Sequence, residues 1–348
     1  MLPAARPRVL LIFLDFGHGE GYRSGTNGGA ACRTERIRRS GAGSGRRLRV
    51  FLVYYDMHCA NILLLLSLSA LSAGAVPASV LGAATDLLDA SHMLHFLGVV
   101  DAFGHVSVRS PANASEFLLS AAVAPAQATA ADIVTYDIAN ATARQVTLNA
   151  SAAIPAGFAE RFIHSEIYKR FPDAHAVVHA HTPAVLPFAN QPTIALVAQM
   201  HTAPALGPGA PVFDTRALPP AVLPPDAPHD LLVRTAALGA ALAGAFRADS
   251  RVVLMRGHGM ALRAGTLRQA VFDAYYVAED AAVQLQAALL GMGHAAPIGL
   301  DAREVADASD TVPTLVGRAW ALWAAQVDGA ALYVNDLRRH APPAPTGF

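Results

Sequence analysis

Ala176-Val177-Val178-His179-Ala180-His181 is the run that most restricts how this chain can fold. It is apolar apart from its two histidines and Pro183 stops it, so it reads as a short β-strand. Successive side chains on a strand point to opposite faces, so His179 and His181 project from the same one. Two imidazole nitrogens placed that way are two corners of a tetrahedral metal site. His258 supplies a third. It lies in Met255-Arg256-Gly257-His258-Gly259, directly after an apolar strand, and its flanking glycines let the backbone turn sharply. Three histidines without a cysteine fit a catalytic zinc that keeps one position open for substrate or water.

Helical and strand signals alternate around that run from residue 80 onward. Residues 81–99 carry Leu87, Leu88, Met93, Leu94 and Leu97 at helical spacing and break at Gly98. Residues 106–108 and 117–119 read as strands, as does 133–138, and 160–170 reads as a helix ending in Phe171-Pro172-Asp173. A proline-rich loop over 204–228 precedes an Ala/Leu helix at 231–246, a strand at 251–255 and a long helix at 266–290. The elements intermix without a repeat or an internal boundary. That pattern predicts one α/β or α+β domain over residues 80–340.

The chain's formal net charge of zero hides two different kinds of sequence. Residues 1–56 hold ten arginines against four acidic residues, a net of +6, so the remainder carries −6. Residues 17–49 are Gly/Arg/Ser-rich, and the basic extension 1–56 is expected to be disordered because it buries too little apolar surface to offset ordering entropy. Residues 57–75 follow the layout of a secretory signal peptide: Met57, an apolar run from Ile62 to Leu71, then Ala73-Gly74-Ala75. The run is too short to span a bilayer. Sequons at Asn113, Asn140 and Asn149 fit a glycosylated protein of the secretory pathway, with Met57 as its start; without a working signal the protein would be cytoplasmic. An acidic folded part with the single lysine Lys169 excludes a nucleic-acid binder. With 53% hydrophobic residues, the chain is too apolar to be disordered throughout.

Several motifs together resemble the class II aldolase/adducin family. Residues 171–182, Phe-Pro-Asp-Ala-His-Ala-Val-Val-His-Ala-His-Thr, look like its metal strand, and Val253 to Gly259 looks like its third-histidine segment. Gly104-His105-Val106-Ser107-Val108-Arg109 is similar to its early Gly-Asn-x-Ser-x-Arg motif, and Glu279 falls in the long helix where the family carries a glutamate. The resemblance implies a three-layer α/β/α domain with a central mixed, mostly antiparallel sheet. It also implies a homotetramer with active sites between subunits, and a divalent metal: zinc first, manganese or iron(II) as alternatives. The family's catalytic glutamate, nineteen residues before the first metal histidine, corresponds to Glu160, with Glu166 as the fallback base. His164, His92 and His95 read as structural, Tyr275 and Tyr276 as packing, and His175 as a neighbour of the metal shell.

Departures from the family pattern bear on the substrate. His105 replaces the asparagine, and Phe158-Ala159 replaces two serines that hold phosphate in sugar-phosphate aldolases. The expected substrate is therefore a small molecule without phosphate, such as a hydroxy or keto acid. Gly104, His105, Arg109 and His201 are its candidate contacts, and Tyr333 is a candidate proton donor by loose correspondence. These features predict a metal-dependent carbon–carbon lyase performing aldol cleavage or decarboxylation. The alternative from another class is an adducin-like interaction protein without turnover, which would have no physical need for the three histidines and Glu160.

Overall fold

The computed structural model describes residues 9–15, 49–55, 76–191, 193–292 and 296–338. The chain divides into two compact units, residues 1–75 and 76–348. In the first, β1 (Val9–Asp15) pairs antiparallel with β2 (Arg49–Tyr55), Val9 opposite Tyr55 and Asp15 opposite Arg49. Residues 9–15 and 49–55 of the basic extension are thus strands, while the stretch between them, on which the expectation of disorder bears, lies outside the described residues. Apart from Asp15 and Arg49, both runs are built from Val, Ile, Leu, Phe and Tyr, which fit a pleated ribbon, and they bracket the Gly/Arg-rich stretch on which the low-complexity reading rests. Residues 16–48 and the signal-like segment 57–75 lie outside the described residues.

The second unit runs α1 (Ala78–Phe96), β3 (His105–Arg109), β4 (Glu116–Ser120), β5 (Ile133–Asp137), β6 (Ala143–Val146), α2 (Arg161–Arg170), β7 (Ala176–Ala180) and α3 (Leu186–Asn190). It continues through β8 (Val212–Phe213), α4 (Ala236–Ala245), β9 (Val252–Met255), β10 (Gly259–Ala264), α5 (Leu267–Leu290), α6 (Ala302–Thr311) and α7 (Val316–Asp328). Its strands form one sheet in the order β6-β5-β4-β3-β7-β10-β9-β8. Neighbours are antiparallel except β8 and β9, which run parallel.

β7 lies inside this sheet with all five of its residues buried. Ala176, Val178 and Ala180 enter a core shared with Leu87, Val271 and Trp323 from α1, α5 and α7. Val177 faces the other way, into a core with Ile163, Ile167 and Leu242 from α2 and α4. A near-continuous apolar strand is what a sheet covered on both faces requires. The layers are therefore α/β/α, with the sheet mixed and mostly antiparallel as the resemblance implied. Thr235 accepts a hydrogen bond from the Leu238 N–H, so α4 begins at Ala236 and not at residue 231. α4 also runs close against α2: a Cβ on Gly239 would stand 2.5 Å from the Phe162 carbonyl oxygen. Among the described residues no helix is long and apolar enough to cross a membrane.

Candidate active site

The histidines predicted to meet do so at one end of the sheet. His179 is opposite His105 of β3 and Ala261 of β10. His181 follows just past the strand end. His258 is carried on the connection from β9 to β10, where its N–H donates to the Met255 carbonyl at 3.0 Å. Two glycines make that turn feasible. Gly257 has φ +69°, and a Cβ on Gly259 would lie 2.1 Å from the Ala180 carbonyl oxygen. The Nε2 atoms of His179 and His181 are 3.0 Å apart, and those of His181 and His258 are 3.1 Å apart.

Hydrogen bonds to the far ring nitrogens show what the Nε2 atoms of His179 and His181 are, while the Nδ1 of His258 is buried without a partner. His179 Nδ1 donates to the Met260 carbonyl at 3.0 Å, and His181 Nδ1 faces the Asp101 carboxylate at 3.4 Å. A neutral imidazole with its proton on Nδ1 presents a bare lone pair at Nε2. Lone pairs 3.0 Å apart repel unless a cation lies between them. Ligands on one ion at about 2.1 Å stand about 3.0 Å apart at right angles and about 3.4 Å apart at tetrahedral angles, so the spacing suits a single metal ion.

Glu160 completes the cluster. It occupies the N-cap position of α2, yet its side chain makes no capping bond. Instead one carboxylate oxygen accepts from the Val233 N–H at 2.8 Å. The other lies 3.6 Å from His179 Nε2 and 3.5 Å from His258 Nε2. Burial raises the carboxyl's pKa, but His179 and His258 beside it outweigh burial and lower it overall, and a cation held by their Nε2 lone pairs would act in the same direction. Glu160, His179, His181 and His258 each offer one ligand atom, all within 4.8 Å of one another, and can hold a divalent ion. Asp101 orients His181 and was not visible in the sequence reading, although Asp101-Ala102-Phe103-Gly104 has the form of an Asx turn. Its carboxylate accepts from the Phe103 and Gly104 N–H groups at 2.8 and 3.0 Å.

His105 lies against this cluster, its ring 5.1 Å from that of His179 and 4.4 Å from Phe158, centroid to centroid. Its Nδ1 is 2.7 Å from Nε2 of His164, which is itself fully buried and 2.6 Å through Nδ1 from Ser107 Oγ. Burial, then the neighbouring histidines, depress the pKa of His105, and the same causes bring His164 down to about 3. His164 is thus built into the site's support and does more than pack. Gly104 lets β3 start beside β7, since a Cβ there would lie 2.7 Å from Val100 Cβ.

Other candidates are placed elsewhere. The Arg109 guanidinium donates to the carbonyls of Ala114, Ala174, Tyr168 and Phe171 and stacks on the Tyr168 ring at 4.8 Å, so it ties β3 to α2 and the following loop. His201 is exposed and lines a surface cavity of about 330 Å³ with Leu300, Glu304 and Asp307. Tyr333 is held on α1, its hydroxyl 3.0 Å from His95 Nδ1 and its ring against His92 and Phe96. Glu166 pairs with Lys169 at 2.6 Å. His175 and Glu279 are exposed. Tyr275 and Tyr276 pack on Trp323. Asn113, Asn140 and Asn149 are all exposed.

A three-layer α/β/α fold with a His/Glu cluster at the end of its sheet defines the class II aldolase type of enzyme, a lyase. The chain belongs to the family described as Class II Aldolase and Adducin N-terminal domain, whose model matches residues 85–285. It is 36% identical over 259 residues to Decarboxylase tropJ of Talaromyces stipitatus, covering 70% of this chain and 93% of that protein. It is 32% identical over 219 residues to 3,4-dihydroxyphthalate decarboxylase of Arthrobacter keyseri, covering 60% of this chain and 80% of that one. Among solved structures, the aldolase II superfamily protein from Pseudomonas syringae superposes with a TM-score of 0.57 at 17% identity, covering 74% of this chain and 96% of that one.

Proposed function

We propose that this lyase is a zinc-dependent decarboxylase of a non-phosphorylated aromatic hydroxy acid. The observation that carries the reading is the convergence of three imidazole Nε2 atoms on one point beside the ionised Glu160 carboxylate. Three imidazole nitrogens suit a catalytic zinc with a position left for substrate, with manganese or iron(II) as other ions of compatible chemistry. Two relatives above 30% identity bear the name decarboxylase, which favours CO₂ release over aldol cleavage. Replacement of phosphate-holding polar residues by His105 and Phe158, whose rings are in contact, favours a flat, unphosphorylated substrate.

A bound zinc ion would act as a Lewis acid, stabilising the negative charge left on the substrate when CO₂ departs. Glu160 accepts the proton of the substrate hydroxyl, whose acidity a bound zinc ion would raise. As the carbon–carbon bond breaks, its electron pair stays on the ring carbon, and that carbon takes the proton back from Glu160. The released phenolate regains a proton from water, so the net change is loss of CO₂ and gain of one C–H bond. Val233 N–H keeps the carboxylate aimed at the cluster throughout. Glycosylation at Asn113, Asn140 and Asn149 and secretory localisation belong to the same proposal, supported by sequon exposure and the signal-like segment, and the homotetramer belongs to it on family membership alone.

The test is a panel of hydroxybenzoic and hydroxyphthalic acids scored for CO₂ and for aldehyde release, with metal content measured alongside. Glu160→Gln should retain the Val233 contact and lower kcat by about 10²–10⁴-fold. Strong turnover of a sugar phosphate, or full activity without divalent metal, would overturn the reading.

A further inference from the structure

Behind His105 a buried hydrogen-bonded line crosses from β3 to α2. His105, Ser107 and Arg109 alternate on one face of β3, and His164 and Tyr168 stand one helical turn apart on α2. The line runs from Tyr168 hydroxyl to Ser107 Oγ (2.8 Å), from Ser107 Oγ to His164 Nδ1 (2.6 Å) and from His164 Nε2 to His105 Nδ1 (2.7 Å). Ser107 and His164 are completely buried, Tyr168 is 1% exposed and His105 is 3% exposed. Arg109 fixes the far end, with its guanidinium over the Tyr168 ring.

The protons on this line can run in only one direction without stranding a donor. The Tyr168 hydroxyl is neutral, because burial pushes its pKa up, so its proton needs an acceptor. The Val177 backbone N–H donates to the phenol oxygen and offers no acceptor, so Ser107 Oγ is the group that can take the proton. Ser107 must then donate its own proton to His164 Nδ1, which leaves the His164 proton on Nε2. That nitrogen donates to His105 Nδ1, so the proton of a neutral His105 is on Nε2. Run backwards, the line would strand the buried tyrosine proton, and an unmade buried donor costs more than an unused lone pair.

We propose that Tyr168, Ser107 and His164 are positioning residues that lock His105 as a neutral Nε2–H donor, through which it binds an oxygen of the substrate carboxylate. The orientation follows from the ring's surroundings. One edge is taken by His164, and the remaining polar atom belongs to a ring packed on Phe158 and His179 at the cluster. The Nδ1-protonated form would instead present a lone pair to an anionic substrate and repel it. The substrate half of this proposal rests on the acid-decarboxylating reading above. The tautomer half does not.

The experiment uses full-length protein labelled with ¹⁵N-histidine, with two-bond ¹H–¹⁵N spectra reading which nitrogen of each ring carries the proton. His105 is expected as the Nε2–H form in the wild type and should lose that signature in His164→Leu, while His164→Gln, which keeps an N–H donor, restores it. In parallel, kcat/KM should fall by about ten-fold or more in His164→Leu and recover in His164→Gln, with metal content unchanged in both. Tyr168→Phe, which keeps the ring, is the companion variant should His164→Leu fail to fold, and it should weaken the same signature. A wild-type His105 protonated on Nδ1, or equal losses in the leucine and glutamine variants with no tautomer change, would overturn the proposal. Absence of turnover with every acid, together with an intact Nε2–H signature, would sink the decarboxylase reading and the carboxylate contact while the lock stands.

Discussion

Asp280 is the residue whose replacement should change the pH dependence of stability in the most legible way. It is fully buried on α5, and its Oδ1 accepts the N–H groups of Gln199 and Met200, both at 2.8 Å, pinning the segment that follows α3. Its Oδ2 is buried without a partner. Burial, only partly offset by those two hydrogen bonds, pushes its pKa from 3.8 to about 6. A carboxyl whose folded-state pKa is raised contributes stability that is fully present below the unfolded value. That contribution is lost as pH rises through the folded one, because between the two the native state binds more protons. The rise corresponds to about 3 kcal/mol at about 1.4 kcal/mol per factor of ten in proton affinity. Relaxation of the surrounding protein around an ionised carboxylate lowers the expected loss to about 1–3 kcal/mol. Asp280→Asn keeps the acceptor for Gln199 and Met200 and removes the titration. Equilibrium urea unfolding of both proteins from pH 4 to 7.5, at fixed metal concentration, gives the difference in stability at each pH. Histidine titrations common to both proteins cancel in that difference. Wild type should lose about 1–3 kcal/mol relative to the variant between pH 4 and pH 7. Parallel pH profiles for the two proteins would refute the assignment of a raised pKa to Asp280.

Removal of divalent metal by a chelator should lower the melting temperature. Restoring zinc to a hundred times its dissociation constant should return about 2.7 kcal/mol of stability in wild type and none in His179→Ala, read by thermal unfolding. Gly239→Ala should destabilise by about 1–3 kcal/mol, because its Cβ would press on the Phe162 carbonyl and shift α2, and the same unfolding assay reads it. Protein expressed through a secretory pathway should lose mass on enzymatic N-deglycosylation, and the loss should vanish when Asn113, Asn140 and Asn149 are all replaced by Gln; an unchanged mass in the wild type would remove the glycoprotein proposal.

The meeting of His179, His181 and His258 was legible because a strand's period of two and a glycine-flanked turn are local properties. His179 and His181 needed no knowledge of the rest of the fold to share a face. The layer order and the sheet type followed from the family resemblance, and the described strands agree with it. Arg109 was not legible in the same way. Its four acceptors are carbonyls of Ala114, Tyr168, Ala174 and Phe171, groups that every residue carries, so no side-chain pattern announces them. The long helix shows a related limit. Its sequence offers Glu279 and Asp280 side by side, and only packing against residues 197–202 decides that Asp280 turns inward while Glu279 stays in solvent. In residues 1–56, composition averaged over the glycine- and arginine-rich stretch concealed two short strand-forming runs at its flanks.

The site's support also shows how one motif can be read at two periods. Gly104-His105-Val106-Ser107-Val108-Arg109 looks like a string of separate substrate contacts when taken residue by residue. On the strand it becomes three side chains on one face, meeting His164 and Tyr168 of α2. The strand period of two and the helical spacing of four converge on one buried line, and only its first member, His105, reaches the cluster. A motif of this kind specifies the protonated edge of one imidazole through residues that never touch the substrate. Where the family pattern has asparagine, a side-chain amide always carries both a donor and an acceptor and can turn either to a ligand. A histidine offers the same choice only until a neighbour fixes its tautomer. Replacing asparagine by His105 therefore calls for a fixed partner behind it, which His164 supplies by using the serine that the family pattern already carries at Ser107, and the same substitution without a polar residue at position 164 should give a histidine that does not discriminate an anionic oxygen from a neutral one.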